Sequence, residues 1–222
     1  MLSKKSLMIL EKQVNKKHYF RKKYDDLNRF ISYFYQIELA TPPHVKTILE
    51  VGKGNGTVSD YLKKLGFTVT TVDIDPDLKP DYVADIRKLP FPDANFNLVM
   101  ACEVLEHLPF DDFEPALKAL HRVSSSFVLI SLPYRSTGFE LALKFPGIRT
   151  LFRTNFLDLF LRLPLKFGGF RVSGQHHWEI DGFKYRLGRI KKIIKRHFAI
   201  IRTARPVLNY YHYFFLLEKK VV

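Results

Sequence analysis

The chain has only one cysteine, Cys102, among its 222 residues. That excludes an intrachain disulfide framework and suits a reducing compartment. Long apolar runs are missing too: no stretch reaches the roughly 18 uninterrupted apolar residues that a bilayer span requires. Met1 to Leu10 hold too little apolar length for a secretion signal, and a cytoplasmic location is the expectation that follows. Disorder is excluded as well, since 46% of the residues are hydrophobic, enough for one substantial core.

Acidic residues are scarce at both ends. Residues 1–24 carry a net charge of +7 and residues 134–222 carry +13, whereas residues 25–44 carry −2 and residues 45–133 carry −4. A mildly acidic centre therefore lies between two basic flanks. Such flanks meet RNA, an anionic membrane surface or an acidic small substrate, or they serve only as solvated surface. Lys16-Lys17 and Arg21-Lys22-Lys23 are interleaved with His18, Tyr19, Phe20 and Tyr24. Basic residues mixed with aromatics can bind single-stranded nucleic acid, and they are equally common in an exposed lead-in to a fold. No dedicated RNA-binding module is visible.

The centre is organised by short apolar runs that end in polar residues. Ile48-Leu49-Glu50-Val51 runs into Gly52-Lys53-Gly54-Asn55-Gly56, a turn whose glycines let backbone approach a ligand closely. Phe67 to Val72 ends at Asp73-Ile74-Asp75. Asp73 lies 21 positions after Gly52, the spacing of an acid that accepts hydrogen bonds from ribose hydroxyls. Tyr82 to Ala84 ends at Asp85-Ile86, and Phe96 to Ala101 ends at Cys102-Glu103-Val104-Leu105-Glu106-His107. Four such runs predict one crevice at the carboxyl edge of an open α/β sheet. A nicotinamide-dinucleotide site competes for the same residues. Its Gly-x-Gly-x-x-Gly spacing fails, because Thr57 and Ser59 stand where the third glycine is needed.

These motifs, with Leu89-Pro90-Phe91 and Phe96-Asn97-Leu98-Val99, resemble those of class I S-adenosylmethionine-dependent methyltransferases, closest to the small-molecule group called type 11. The likeness is good over about residues 46–133 and holds in outline elsewhere. It implies a Rossmann-like, doubly wound, seven-stranded α/β sheet whose last strand is antiparallel. It also implies S-adenosylmethionine as cofactor. Glu50, Gly52, Gly54 and Gly56 would form the turn beside the methionine part. Asp73 and Ile74 would bind the ribose, Asp85 and Ile86 would border the adenine, and Cys102 and Glu103 would line the methionine side. Residues 45–222 would form the methyltransferase domain, and residues 1–44 a basic helical extension packing on it through Leu27, Phe30, Ile31, Phe34 and Ile37.

Only nine residues separate Asp75 from Asp85, with Pro76 and Pro80 among them, where the family has a full helix; a loop or single turn is expected there. Residues 134–180 follow the fifth strand, rich in aromatics, leucines and arginines, and are read as an inserted helical lid over the acceptor. Methyl transfer from a sulfonium needs a base only when the acceptor loses a proton. For an oxygen acceptor the candidates are His107 and the pair His176-His177, of which His177 is taken as the second base. No metal site is expected, since adjacent histidines cannot both address one ion easily. A nucleophilic role for Cys102 lacks a partner base. Ser131-Leu132-Pro133-Tyr134 is not the Pro-Pro-Tyr type of motif used on exocyclic amines. The expected activity is methyl transfer to a small-molecule or glycan acceptor. The alternatives are RNA methylation and a non-catalytic scaffold, cofactor-binding or cofactor-dead, that docks a partner through its basic flanks.

Overall fold

The computed structural model describes residues 15–135, 138–144, 146–152, 157–162, 175–181 and 183–220. The chain enters through helix α1 (Leu27–Leu39) and then alternates strand and helix. It runs through β1 (Thr47–Val51), α2 (Thr57–Lys64), β2 (Thr68–Asp73), β3 (Tyr82–Val83), β4 (Phe96–Cys102), α3 (Phe113–Val123) and β5 (Ser124–Pro133). Next come β6 (Gly138–Leu143), α4 (Ile148–Phe152) and β7 (Leu157–Arg162), followed by α5 (Leu187–Ile194), β8 (Phe198–Ala204) and β9 (His212–Lys219).

Seven strands share one sheet in the order β3-β2-β1-β4-β5-β9-β8. β1 to β5 run parallel, and β9 is antiparallel to both of its neighbours. This is the doubly wound, Rossmann-like methyltransferase sheet that the motifs implied. The winding reverses between β1 and β4, where a crevice opens at the strands' carboxyl ends. Period-two alternation splits the apolar residues between the two faces. Leu49, Val51, Val99, Ala101, Val128 and Ile130 join α3 and α5 in one core. Ile48, Leu98, Met100 and Leu129 join α1 and α2 in the other. Each fully buried aliphatic side chain of this kind stabilises the fold by about 1.5–3 kcal/mol.

Helix α1 packs on the sheet with a different face from the one its apolar stripe indicated. Ser32, Tyr33, Gln36 and Leu39 are buried, while Leu27, Phe30 and Phe34 remain 67%, 56% and 61% exposed. The polar inner residues are satisfied locally. Tyr33 donates its hydroxyl to Asp25 at 2.8 Å, and Gln36 donates to Ser32 Oγ at 3.2 Å. Tyr35 stacks on Phe214 of β9, with ring centroids 6.0 Å apart. The short connection after Asp75 is a single 3-10 turn, Pro76–Leu78, as the two prolines required.

The insertion also differs from its helical expectation. β6 and β7 pair antiparallel over six residues, Gly138–Leu143 against Arg162–Leu157, and the five-residue α4 is the one helix among the described residues between them. The physical reason is period. Phe139, Leu141 and Leu143, and likewise Leu157, Leu159 and Leu161, recur every second position, which suits a strand. The ends of the insertion are tied together at the sheet edge: Ile180 N donates to Pro133 O and Arg135 N donates to Ile180 O, both at 2.9 Å. Residues 175–181 are thereby brought back to the crevice.

Candidate active site

A cavity of about 440 Å³ lies over the carboxyl ends of β1, β2 and β4. Its first wall is the glycine turn. Gly52 has φ +86°, and a Cβ placed there would sit 2.4 Å from Val104 Cγ2, so the position needs glycine for both torsion and space. Gly54 N donates to Asp73 Oδ2 at 3.3 Å, and Asp75 N donates to Asp73 Oδ1 at 2.9 Å, so the β2 carboxylate is oriented by backbone. Burial nevertheless raises the Asp73 pKa above its ordinary value, partly offset by those donors. Gly56 has φ +81° and serves as the N-cap of α2; it stands apart from the cavity lining.

Beneath the turn, Glu50 is 5% exposed, and its Oε2 has no hydrogen-bond partner among the described residues. Burial pushes its pKa up to about 8, against a hydrogen bond from Ser59 that favours the anion. At the opposite end, Asp85 accepts from Arg87 Nε at 2.9 Å, and Arg87 Nη1 reaches Asp112 at 2.7 Å. Burial would raise the Asp85 pKa, but the Arg87 pairing outweighs it and the net shift is downward. Asp112 thus holds Arg87 instead of capping α3 with its side chain. Cys102 lines the cavity, with its thiol pKa held well above the ordinary value by burial.

Glu103 adopts φ +55°, a left-handed conformation costly for a residue with a side chain. Ser131 holds it there: its hydroxyl donates to Glu103 Oε1 at 2.8 Å and accepts from Glu103 N at 3.1 Å. His212 Nε2 lies 3.3 Å from Glu103 Oε2. His107 follows on the turn Leu105–His107, and its Nδ1 lies 2.8 Å from the Gln175 carbonyl. A carbonyl only accepts, so Nδ1 carries the proton and Nε2 bears the lone pair of the neutral ring. Burial lowers the His107 pKa and favours that neutral ring.

His176 and His177 part company. His177 is exposed at the cavity edge, and its backbone N donates to Glu106 O at 2.8 Å. His176 is turned inward, its Nδ1 2.9 Å from Glu179 Oε1 and its ring 5.0 Å from that of His107. Glu179 also accepts from the Tyr211 hydroxyl at 2.9 Å and pairs with Arg135 at 2.9 Å. Burial pushes its carboxyl pKa up, but the His176 and Tyr211 hydrogen bonds outweigh that and leave it lowered.

The cavity thus gathers Glu50, Gly52, Gly54, Asp73, Ile74, Asp85, Ile86, Cys102, Glu103, His107 and His177, all singled out from sequence. It also gathers His176, named from sequence with His177, and Tyr211, His212, His18, Tyr19, Tyr24 and Arg29, to which sequence reasoning assigned no place in the cofactor crevice. Tyr19 and Tyr24 pack edge to face at 5.5 Å, and Arg29 lies over Tyr24 at 4.5 Å, so the aromatic half of the N-terminal segment roofs the cavity. Burial raises the pKa of both tyrosines above the ordinary phenol range. The mixture of basic and aromatic residues was a signal of contact with something, but not of which molecule.

The seven-stranded order with β9 inserted antiparallel, the turn that admits only glycine at position 52 and the acid at the end of β2 together give the class I methyltransferase fold. Residues 49–126 match the family model of a methyltransferase domain. Over those residues the chain is similar to the methyltransferase-domain family, whose methyl donor is S-adenosylmethionine. No curated protein sequence matches the chain. Among solved structures, the PH0226 protein of Pyrococcus horikoshii OT3 aligns over 93% of this chain and 100% of its own, at TM-score 0.60 and 15% identity. Magnesium protoporphyrin IX methyltransferase from Synechocystis PCC 6803, with bound S-adenosylhomocysteine, aligns over 92% of both chains at TM-score 0.56 and 14% identity. The N-methyltransferase NodS from Bradyrhizobium japonicum WM9, also with S-adenosylhomocysteine, covers 93% of this chain and 96% of its own at TM-score 0.59 and 10% identity. At such identities these are likenesses of fold.

Proposed function

We propose that this chain methylates a small-molecule acceptor, of metabolite or glycan-unit size, inside the cavity over β1, β2 and β4. One observation carries the reading: the cofactor motifs and the Glu/His cluster are two ends of a single cavity of about 440 Å³. A volume of that order suits a small ligand. The structural neighbours named above act on substrates as different as a porphyrin and a NodS acceptor, so the fold leaves the acceptor open.

The residues present fit S-adenosylmethionine. Gly52 leaves bare backbone at the wall, Asp73 offers a fixed carboxylate for ribose hydroxyls, and the unpartnered oxygen of Glu50 awaits a donor. The Asp85 carboxylate is committed to Arg87, which leaves its backbone and Ile86 as the adenine border. When bound, the cofactor supplies a sulfonium-activated methyl group. The chain's own work is then alignment. Tyr19 and Tyr24 exclude water from above, and the Glu103–Ser131–His212 network holds the floor where donor and acceptor meet. A neutral imidazole at His107 or a group beside it takes the proton of a hydroxyl acceptor as the C–O bond forms and the C–S bond breaks.

The test is a calorimetric titration of the purified chain with S-adenosylmethionine, with Asp73→Ala alongside. Losing hydrogen bonds to a charged acceptor is worth about 1.5–3 kcal/mol, so the variant should bind roughly 10- to 150-fold more weakly. Absence of binding by the wild-type chain would instead favour the scaffold reading.

A further inference from the structure

We infer that Glu106, His107 and His176 form a binding site for one divalent transition-metal ion at the acceptor end of the cavity. The three side chains bring one ligand atom each within 4.8 Å of one another. His176 Nε2 lies 4.0 Å from Glu106 Oε1. Glu106 is 0% exposed, lines the cavity, and has no hydrogen-bond partner for either carboxylate oxygen among the described residues. A fully buried carboxyl with both oxygens outside any hydrogen bond of good geometry needs a compensating group. The groups beside it are two imidazoles and the Glu103 carboxyl, whose negative charge adds to that need.

Both imidazoles are set as metal ligands are set. Each has its Nδ1 committed, in His107 to the Gln175 carbonyl and in His176 to the Glu179 carboxylate. That fixes the orientation of each ring and, in His176, presents Nε2 toward Glu106. Glu179 is itself held by Arg135 and Tyr211, so an outer shell stands behind the inner one. Two imidazole nitrogens and one carboxylate suit Zn²⁺, Co²⁺, Fe²⁺ or Mn²⁺ in preference to Mg²⁺ or Ca²⁺. With metal–ligand bonds of about 2.0–2.2 Å, closure needs side-chain shifts of about 1 Å. Three protein ligands leave coordination positions facing the cavity, the pattern of a catalytic ion more than a structural one. Spacing along the chain concealed the site: the adjacent pair His176-His177 cannot converge, whereas His107 and His176 do so from 69 positions apart.

The ion's role rests on the methyl-transfer reading; its binding does not. Bound beside the cofactor, a divalent ion would replace His107 as the means of activating the acceptor. It would take the acceptor hydroxyl oxygen and lower that hydroxyl's pKa, with the proton released to water and His107 serving as ligand.

Chelator-stripped full-length chain should be titrated with Co²⁺, reading visible d–d absorption, and with Zn²⁺ by calorimetry. One ion per chain is expected, with Zn²⁺ displacing Co²⁺. Affinity should fall at least ~10-fold in Glu106→Gln and in His176→Asn and stay unchanged in His177→Ala. Thermal unfolding and S-adenosylmethionine titration of each variant identify any that fails to fold, and His176→Asn carries the test if Glu106→Gln does. No Co²⁺ spectrum in a wild-type chain that binds S-adenosylmethionine would overturn the metal site alone. So would undiminished Co²⁺ binding in both ligand variants. Co²⁺ binding without S-adenosylmethionine binding would instead overturn the donor reading and leave the metal site standing.

Discussion

At the scale of single residues, the donor side of the cavity depends on one torsion and one proton. Gly52→Ala places a methyl 2.4 Å from Val104 Cγ2 at φ +86°, so both space and backbone resist it. The expected cost is about 1–3 kcal/mol of stability, together with weaker cofactor binding. Val104→Ala in the same chain should recover the steric part but not the torsional part, which denaturant melts of the single and double variants would show. Glu50 gives a pH signature. Its carboxyl has an ordinary pKa of 4.5, raised by burial to about 8 in the folded chain. The folded state therefore holds the proton more tightly than the unfolded one. The stability this confers is full below the unfolded value and is lost as pH rises toward 8. Glu50→Gln should flatten the fall between about pH 5 and 8 by an amount of order a few kcal/mol, read from urea midpoints across that range.

At the scale of elements, the return segment 175–181 is the joint between the insertion and the crevice. Trp178 is fully buried, with Phe110 and Phe113 each 5.1 Å away by ring centroids, and its indole donates to Leu108 O at 3.1 Å. Trp178→Ala should cost about 3–5 kcal/mol and displace His176 with it. Thermal melts would report the first effect. An unchanged histidine NMR spectrum in the variant would contradict the second. Helix α1 shows why an apolar stripe alone can mislead. Leu27, Phe30 and Phe34 have helical spacing, yet the buried face is the one whose Tyr33 and Gln36 find hydrogen-bond partners inside. The insertion raised the same difficulty: six-residue segments with apolar residues at alternate positions fit a strand or part of a helix until pairing decides.

At the scale of the whole molecule, charge and cavity point to different partners, and salt separates them. Residues 134–222 carry +13, which suits phosphate contact, while the site itself is a crevice rich in carboxyls. For a small-molecule acceptor, turnover should change less than ~2-fold between low and physiological salt, because few ions are displaced. RNA methylation would show an affinity falling steeply and linearly in a log–log plot against salt. No helix among the described residues is long and apolar enough to cross a membrane.

Much of the candidate donor site was legible in the linear chain because its requirements are local. A turn at φ +86° demands glycine at position 52, and an acid ends β2 about 20 residues later. Short apolar runs, each ending in polar residues, marked the parallel strands because that pattern too is local. Tertiary structure alone decided which face of α1 is buried, that Tyr19 and Tyr24 roof the cavity, and that His176 turns inward while His177 faces out. Each of these depends on contacts between residues far apart in sequence, such as His107 with Gln175, 68 positions on. Local propensity carries no information about such pairs; only the packed sheet brings them together.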